Sequence, residues 1–383
     1  MKIRTITTGI SLNSIREKSK IEEAAEFNKI AKKVFELEGY NVQTTRIATN
    51  SWEDYTSDLS KSQIIDSVKD MEGICKQKDV SFFNIGHATK PTSIELIPDI
   101  IQSSSLVSAS AEIGNKEQGI MSDNIESSAH VIKKIAETTD RGYGNFRFCA
   151  WSNCPSGIPF FPAAYHKGKE ASFAIGLENG DLAGEAFSRS SNIEEARIHF
   201  KNIFEDKLKP IYEIGERLSD EQDIKFRGID SSLAPGLSEE GSIAYAYEQL
   251  LPEKFGYQGT LAVSSMITDV LKNLSVKTCG YSGLMLPVCE DIGLAERANE
   301  KTYNLTNLLL YSTVCGCGLD TVPVPGDILE KQLQNILLDT AALAIKLDKP
   351  LSVRLFPVPG KIAGQITDFQ SPYLIDCEIL EVK

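Results

Sequence analysis

The sequence contains no apolar segment long enough to cross a bilayer. A membrane-spanning helix needs about 20 consecutive, predominantly apolar residues, and the densest apolar stretch, Ile336 to Leu347, is interrupted by Asp339 and Lys346. The first residues lead directly into a strand-like pattern, without the apolar core and small-residue cleavage site of a secretion signal. We therefore expect a cytoplasmic protein that does not cross a membrane.

Basic residues are in the minority. The 383 residues include 40 Lys and Arg against 53 Asp and Glu, which gives a net charge of −13. This charge disfavours non-specific binding to nucleic acid or to an anionic membrane surface. The expected partner is a small-molecule ligand, the cofactor stays undetermined, and assembly into a homo-oligomer stays open.

Metal and disulfide signatures are also absent from the sequence. The eight cysteines are scattered along the chain, the four histidines lie far apart, and neither a CxxC pair nor an HExxH motif occurs. Secreted disulfide frameworks concentrate their cysteines in short chains, and linear zinc sites need closely spaced ligands. The sequence therefore predicts reduced, mostly buried thiols and assigns no metal ligand, while a metal assembled from distant residues stays open.

The first third of the chain alternates β-rich runs with segments of helical periodicity. Lys2 to Thr7 and Val42 to Ala48 have strand patterns, and apolar residues recur at helical spacing between them up to about Leu37. This alternation is typical of βα units around a mainly parallel sheet, so we predict an α/β fold. Residues 1–383 are expected to form one composite domain, with residues 231–241 as an exposed lid or connection.

An apolar loop is predicted at residues 151–168, which contain three prolines, two glycines and four aromatic residues. A loop that keeps aromatic side chains beside polar ones either plugs the core or lines a ligand pocket. The pocket interpretation makes Asn153, Phe160 and His166 candidate site residues. His87 joins them because it follows a predicted strand, where α/β proteins place ligand-binding residues, although a structural role is the alternative.

Two Val-Pro-Gly phrases in the last quarter, ending at Asp327 and Lys361, predict a pair of similar turns. Strand-like runs precede them at 308–314 and 351–356, and the helical pattern between the phrases places both turns at the same end of the sheet. Asp327 is interpreted as a helix cap, with a role in the site as the alternative. Lys361 is expected to hold an anionic substrate or to pair with Asp327 or Asp320.

The segment Tyr311 to Asp320 alternates two glycines with two cysteines at a predicted strand end. Glycines let the backbone bend tightly and expose the thiols, as a nucleophile, a redox pair or a pair of soft-metal ligands requires. Cys315 is the main candidate and Cys317 the second, with packing as small hydrophobic residues as the alternative. Asp320 either orients a ligand or accepts hydrogen bonds from turn amides.

Several phrases resemble the domain of unknown function 711 family of bacteria and archaea. They are ordered as in that family and spread over most of the chain: FFPAAYH at 160–166, SGLMLPVCED at 282–291, VCGCGLD at 314–320, PGD at 325–327 and PVPGK at 357–361.

The resemblance implies a ten-stranded α/β barrel similar to that of the pyruvate formate-lyase-like glycyl radical enzymes. In that barrel, two five-stranded parallel half-sheets with outer helices enclose an internal finger loop, and the finger carries a thiyl-forming cysteine. Cys315-Gly316-Cys317 is the counterpart of the finger. Those enzymes also have a C-terminal loop similar to Arg-Val-Ser-Gly-Tyr, which is missing here. The most similar stretch, residues 278–281, lacks the arginine and lies before the cysteines instead of after them. A glycyl radical mechanism is therefore not expected, and architecture transfers better than activity.

The leading functional hypothesis is an enzyme that acts on a small anionic metabolite inside the barrel. Cys315 is its thiolate nucleophile or ligand, Lys361 holds the anion, and Asp320 or His166 positions the thiol or moves a proton. This hypothesis requires Asn153 or His166 within side-chain reach of Cys315. The alternatives are a non-catalytic metabolite-binding protein and a metal-assisted enzyme with soft cysteine ligands.

Overall fold

Strands and helices alternate over most of residues 1–230, as the α/β prediction requires, and a run of four α-helices follows before the last two strands. The computed structural model describes residues 1–382. The strands are β1 (Lys2–Ile10), β2 (Val42–Thr49), β3 (Phe82–Ala88), β4 (Val107–Asn115), β5 (Gly119–Ile120), β6 (Phe148–Ser152), β7 (Ser172–Glu178), β8 (Lys225–Asp230), β9 (Gly318–Pro325) and β10 (Leu351–Val358). The α-helices are α1 (Lys18–Leu37), α2 (Trp52–Thr56), α3 (Lys61–Gln77), α4 (Pro91–Ile94), α5 (Ile97–Ser103), α6 (Ser122–Thr138), α7 (Gly180–Ser188), α8 (Ile193–Gln222), α9 (Ile243–Leu250), α10 (Thr260–Lys272), α11 (Ile292–Asn299), α12 (Leu305–Ser312) and α13 (Glu330–Leu347).

The strands form one ten-stranded sheet in the order β8-β7-β1-β2-β3-β4-β6-β10-β9, with β5 attached to β4. Strands β1, β2, β3, β4 and β6 are mutually parallel, and β7–β8 and β9–β10 are further parallel pairs. The pairs meet the central strands through antiparallel contacts, β7 with β1 and β10 with β6. Within residues 1–382, no hydrogen-bonded ladder joins the edge strands β8 and β9, so the sheet is not closed by hydrogen bonds.

One irregular segment, residues 278–287, contacts both edge strands. Thr278 forms an isolated parallel bridge with Ile229 of β8, and Leu284 forms one with Leu233, just after β8. Pro287 forms a third with Asp320 of β9. These bridges satisfy part of the backbone polar groups that an edge strand otherwise leaves unpaired.

Apolar periodicity explains how the helices pack on the sheet. Helix α1 buries one apolar face, which includes Ile21, Phe27 and Phe35, and contacts β1 and β2. Helix α13 connects β9 to β10 and packs on β4, β6 and β10, which returns the chain in the direction that the parallel β9–β10 pair requires. In the described part of the chain, no helix combines the length and apolar character needed to cross a membrane.

The strand predicted at 308–314 is wrong, because this stretch belongs to helix α12 and the turn after it. The helix begins with a capping box in which Asn304 and Asn307 bond each other's backbone N–H groups. The true strand, β9, begins at Gly318, after the cysteines. It contains Pro323 and Pro325, which a strand tolerates at the edge of a sheet.

The two Val-Pro-Gly turns lie side by side, as predicted. The Gly326 backbone N–H donates to the Lys361 carbonyl at 2.9 Å. Asp327 is not the predicted helix cap, because α13 begins only at Glu330 and Asp327 is exposed. In the region expected to be an exposed lid, only residues 237–240 are exposed, and residues 231–236 are buried.

Candidate functional site

Four arginines converge on one cavity of about 300 Å³, which we call the arginine cavity. Three of them come from separate strands, Arg4 from β1, Arg46 from β2 and Arg354 from β10, and the fourth is Arg147. The cavity is also lined by three carboxylates, two thiols and several aromatic rings: Glu178, Glu290, Asp320, Cys149, Cys317, Phe82, Phe146, Phe160, Phe161, Tyr281 and Tyr373. A chain with a net charge of −13 thus gathers basic side chains at one internal place.

Two of the arginines are neutralised by a buried ion-pair network centred on Glu290. Its carboxylate accepts from Arg354 Nη2 at 2.7 Å and from Arg4 Nη2 at 2.8 Å. Arg354 also donates from Nε to Asp320 at 2.5 Å, and Arg4 donates to Glu178 at 3.3 Å. Burial by itself would raise the pKa of Glu290, but Arg354 and Arg4 together hold it below its ordinary value. Glu290 is therefore a carboxylate at neutral pH.

Arg46 differs from Arg4 and Arg354, because no carboxylate in the described part of the chain forms an ion pair with it. Its Nε donates to Thr44 Oγ1 at 3.1 Å, and its guanidinium lies over the rings of Phe82 and Phe161, at 5.2 and 5.3 Å from their centroids. Burial lowers the pKa of Arg46 to about 9, and the positive charge of Arg4 adds to this effect. At neutral pH the cavity therefore holds a cation whose terminal N–H groups have no protein acceptor among the described residues.

Arg147 has a structural role. Its two terminal nitrogens donate to the carbonyls of Val107 and Ile101 at 3.0 and 2.8 Å, so it ties strand β4 to helix α5. Burial lowers its pKa to about 10.

Cys317, and not Cys315, lines the arginine cavity. Cys315 is 1% exposed and belongs to the main apolar core. Burial raises the pKa of Cys317 and of Cys149 well above the ordinary value, so both thiols in the cavity are protonated at neutral pH. Of the two cysteines that the sequence analysis singled out, the second candidate, Cys317, thus lines this cavity, and the main candidate, Cys315, does not.

A close backbone crossing positions Cys317. A Cβ atom on Gly283 would lie 2.7 Å from Gly316 Cα, so the segment before β9 and the irregular segment approach as closely as two glycines allow. The crossing brings Tyr281 and Cys317 into one buried cluster with Phe160 and Cys154 of loop 151–168.

Loop 151–168 lies between two cavities and lines both. Hydrogen bonds to the sheet hold it, since Thr7 donates to the Pro159 carbonyl at 2.8 Å and Asn84 donates to the Pro162 carbonyl at 2.7 Å. Phe160 lines the arginine cavity, as a pocket residue should. Other residues of the loop line a second, more open cavity of about 600 Å³.

The second cavity, here called the histidine cavity, brings together three of the predicted site residues, His87, His166 and Asn153. The Asn153 side chain is used structurally, because it accepts from the Lys116 N–H at 2.8 Å and donates to the Ala344 carbonyl at 2.9 Å. Burial lowers the pKa of His87 to about 4 and also lowers that of His166, so both imidazoles are neutral at pH 7. His166 and Asn153 thus line a different cavity from Cys317.

Lys361 and Asp327 line neither cavity. The Lys361 ammonium pairs with Asp368 at 3.0 Å and donates to the Ile366 carbonyl at 2.6 Å. Its predicted partners Asp327 and Asp320 are therefore not the ones it uses, and Asp320 is held by Arg354.

Arg46, Arg4 and Glu290 are the site residues that the sequence analysis missed. Glu290 lies directly before helix α11, but its neighbour Asp291 is the helix cap and accepts from two N–H groups of α11. The available signal was an arginine inside a strand: Arg354 lies between apolar Val353 and Leu355 in β10, and β1 and β2 each contain one arginine as well.

The described residues bring together no set of three or more His, Cys, Asp or Glu side chains that could hold a metal ion. The metal-assisted alternative, with Cys315, Cys317 and a distant histidine, therefore finds no ligand set in residues 1–382.

Fold and site define an α/β protein with an internal cavity of paired and unpaired arginines. The chain belongs to the family described as Uncharacterised ACR (DUF711), whose profile matches residues 1–370, and this confirms the family predicted from the sequence motifs. It is 30% identical to a UPF0210 protein of Methanopyrus kandleri over 71% of this chain and 62% of that protein. It is 29% identical to a UPF0210 protein of Clostridium botulinum and 27% identical to one of Methanocaldococcus jannaschii, each over 96% of this chain and 88% of the relative.

Proposed function

We propose that the protein binds a small organic anion in the arginine cavity and acts on it as an enzyme, with Cys317 as the reacting group. The observation that carries the proposal is Arg46, a half-buried cation that lines this cavity and has no carboxylate partner among the described residues. Partial removal of a charge from water also has a free-energy cost unless the charge is paired. A bound carboxylate or phosphate would supply that partner, since a guanidinium binds either group in a planar, bidentate way.

The rest of the cavity wall favours an organic ligand over an inorganic ion. The rings of Phe82 and Phe161 flank the Arg46 guanidinium, and further aromatic and apolar side chains line the cavity. Its volume of about 300 Å³ lies at the lower end of the range of roughly 300–1,000 Å³ for small-molecule sites. We therefore propose a small metabolite with one anionic group at Arg46 and an apolar body against the rings.

The proposed architecture is a barrel. Nine of the ten strands form an open path, with β5 beside it, and the irregular segment bridges to both edges of this path in parallel orientation. If that segment is counted as a strand in place of the two-residue β5, the strands form two groups of five. One group is β1, β2, β3, β4 and β6, and the other is β7, β8, β9, β10 and the irregular segment. Strands are parallel within each group, and the groups meet through the antiparallel contacts β7–β1 and β10–β6. This count agrees with the ten-stranded barrel of the pyruvate formate-lyase-like enzymes, and the residues of the arginine cavity would then face its interior.

Titration with small anions tests the binding proposal. We expect wild-type protein to bind one or more of succinate, glycerol phosphate and benzoate in calorimetry, and Arg46→Gln to bind them at least 10-fold more weakly, because a charge-assisted pair contributes about 1.5–3 kcal/mol. The matched control is Arg189→Gln, which removes an exposed arginine paired with Glu185. Equal affinities of wild type and Arg46→Gln would refute the proposal.

Turnover is tested with a metabolite extract. Wild-type protein is incubated with the extract, and depleted and newly formed anions are followed by mass spectrometry. We expect Cys317→Ala to abolish the change and Cys75→Ala, which removes a buried thiol in α3, to retain it. An unchanged product pattern with Cys317→Ala would remove Cys317 from the reaction.

The second candidate function is a non-catalytic metabolite-binding protein. It is favoured by the raised pKa of Cys317, because a protonated thiol is a poor nucleophile. Binding that depends on Arg46 together with an unchanged extract would support this candidate over the enzyme.

A further inference from the structure

The histidine cavity has the opposite charge balance to the arginine cavity. Four carboxylates and two lysines line it: Glu53, Asp54, Glu112, Glu117, Lys116 and Lys167. Lys116 is already paired with Asp348. Since His87 and His166 are neutral, the cavity carries an excess of negative charge at pH 7.

Of the two half-buried carboxylates of this cavity, Glu53 and Glu112, Glu112 has more unused acceptor capacity. It is half-buried on β4 and accepts a hydrogen bond from Asn115 Nδ2 at 2.9 Å, and within residues 1–382 no cation forms an ion pair with it. Glu53, in contrast, accepts from the Thr89 hydroxyl at 2.7 Å and from the N–H groups of Thr89 and Lys90. Glu53 therefore has a structural role, and Glu112 stays available.

An aromatic wall faces the same cavity. Trp151 and Tyr165 stack with their rings 5.6 Å apart and 3° from parallel. The His87 ring meets them edge to face, at 4.5 Å from Tyr165 and 5.2 Å from Trp151. His87 Nδ1 is buried and makes no hydrogen bond within the described residues. The cavity thus combines an unpaired carboxylate, an unsatisfied imidazole nitrogen and aromatic rings.

From these contacts we infer that the histidine cavity is a second ligand site, for a small organic cation with a primary ammonium or guanidinium group. Such a group has several N–H donors, which fit the Glu112 carboxylate and an imidazole acceptor. Aromatic faces attract organic cations as well. An anionic ligand is disfavoured by the four carboxylates, and the described residues offer no metal ligand set. This inference does not depend on the proposed function of the arginine cavity.

Calorimetric titration with putrescine, agmatine and tetramethylammonium tests the inference at fixed ionic strength. We expect putrescine or agmatine to bind with 1:1 stoichiometry and tetramethylammonium to bind at least 10-fold more weakly, because it has no N–H donor. Equal binding of all three cations, or binding of none, would overturn the inference.

Two substitutions locate the binding. Glu112→Gln should weaken putrescine or agmatine binding at least 10-fold, and Lys167→Gln, which removes an exposed opposing charge at the cavity, should strengthen it 2- to 5-fold. The matched control is Glu26→Gln, which removes an exposed carboxylate of α1. Unchanged affinity in both cavity variants would overturn the inference, and the melting temperature of each variant without ligand verifies that it folds. Arg46→Gln should leave cation binding unchanged, so failure of this inference is distinguishable from failure of the proposed anion site.

Discussion

The arginines of one cavity differ according to whether a carboxylate reaches them. Arg4 and Arg354 share Glu290, and Arg354 is also held by Asp320. Their side chains are fixed by these pairs and form the wall of the cavity. Among the described residues, the partners of the Arg46 guanidinium are Thr44 and two aromatic rings. The paired arginines therefore give the cavity its shape, and the unpaired one remains available for a ligand.

Replacing Glu290 by glutamine tests the contribution of its ion pairs with Arg4 and Arg354 to stability. The variant Glu290→Gln leaves the buried Arg354 and the partly buried Arg4 around a neutral amide, and we expect it to lower the free energy of unfolding by about 3–5 kcal/mol. Urea unfolding measures the change. Glu137→Gln, at an exposed position of α6, is the control and should change stability by less than about 0.5 kcal/mol. A loss below about 1 kcal/mol for Glu290→Gln would contradict the ion-pair network.

The lowered pKa of His87 predicts that the folded protein loses stability in acid. Burial lowers its pKa from 6.5 to about 4, against the opposing effects of Glu53 and Asp54, while Lys167 lowers it further. Between pH 6.5 and 4 the unfolded chain binds a proton at this residue that the folded chain does not, so stability falls as the pH falls through this range. The pKa difference between the two states corresponds to a free energy of about 3 kcal/mol.

The variant His87→Gln removes this titration. We expect the difference in unfolding free energy between pH 7 and pH 4 to be smaller by about 3 kcal/mol than in the wild type, measured by urea unfolding at each pH. His130→Gln, an exposed histidine near Glu330, serves as the control. A wild-type pH profile in His87→Gln would show that His87 does not titrate in this way.

At the scale of elements, the crossing of two irregular segments decides where Cys317 lies. Gly283 and Gly316 allow backbone contact, and a side chain on Gly283 would meet Gly316 Cα at 2.7 Å. We expect Gly283→Ala to lower the melting temperature by several degrees and to increase the alkylation rate of Cys317, because one segment must move away.

A helical glycine provides the control for this substitution. Apart from its chain neighbours and the backbone of its own helix, no atom lies within 4 Å of a Cβ built on Gly73 in α3, so Gly73→Ala should raise stability by about 0.5–1 kcal/mol. If both alanine variants had the same effect on stability and on alkylation of Cys317, the crossing would not position the thiol.

Elements with a clear period could be predicted from the sequence, and those specified by caps and distant contacts could not. The strands at β1 and β2 and helix α1 follow from local alternation and apolar spacing. The stretch 308–314 is apolar over most of its length, so a strand and a buried helix look alike in it. The Asn304–Asn307 capping box and packing in the core favour the helix.

At the scale of the whole molecule, one apolar core cluster extends from Ile3 to Leu380. A second, smaller cluster joins loop 151–168 to Cys317 and Met285. The prediction of one composite domain leads us to expect cooperative unfolding, even though chains of this length often unfold through intermediates.

Unfolding followed by two probes tests this expectation. Tryptophan fluorescence reports on Trp52 in α2 and Trp151 in β6, and far-ultraviolet circular dichroism reports on all helices. We expect the two urea transitions to coincide within experimental error, because one core cluster runs through most of the described chain. Two resolved transitions would contradict a single composite domain.

The sequence alone determined the α/β class, most of the strands and helices, the pair of adjacent turns and the family. These features depend on neighbours within a few residues or on short motifs, which the sequence displays directly. Only the tertiary structure decided which charges are paired and which thiol faces a cavity. Arg354 and Glu290 are 64 residues apart, and Arg4 and Glu290 are 286 apart. Pairing and desolvation depend on distance in space, and local sequence carries no record of that distance.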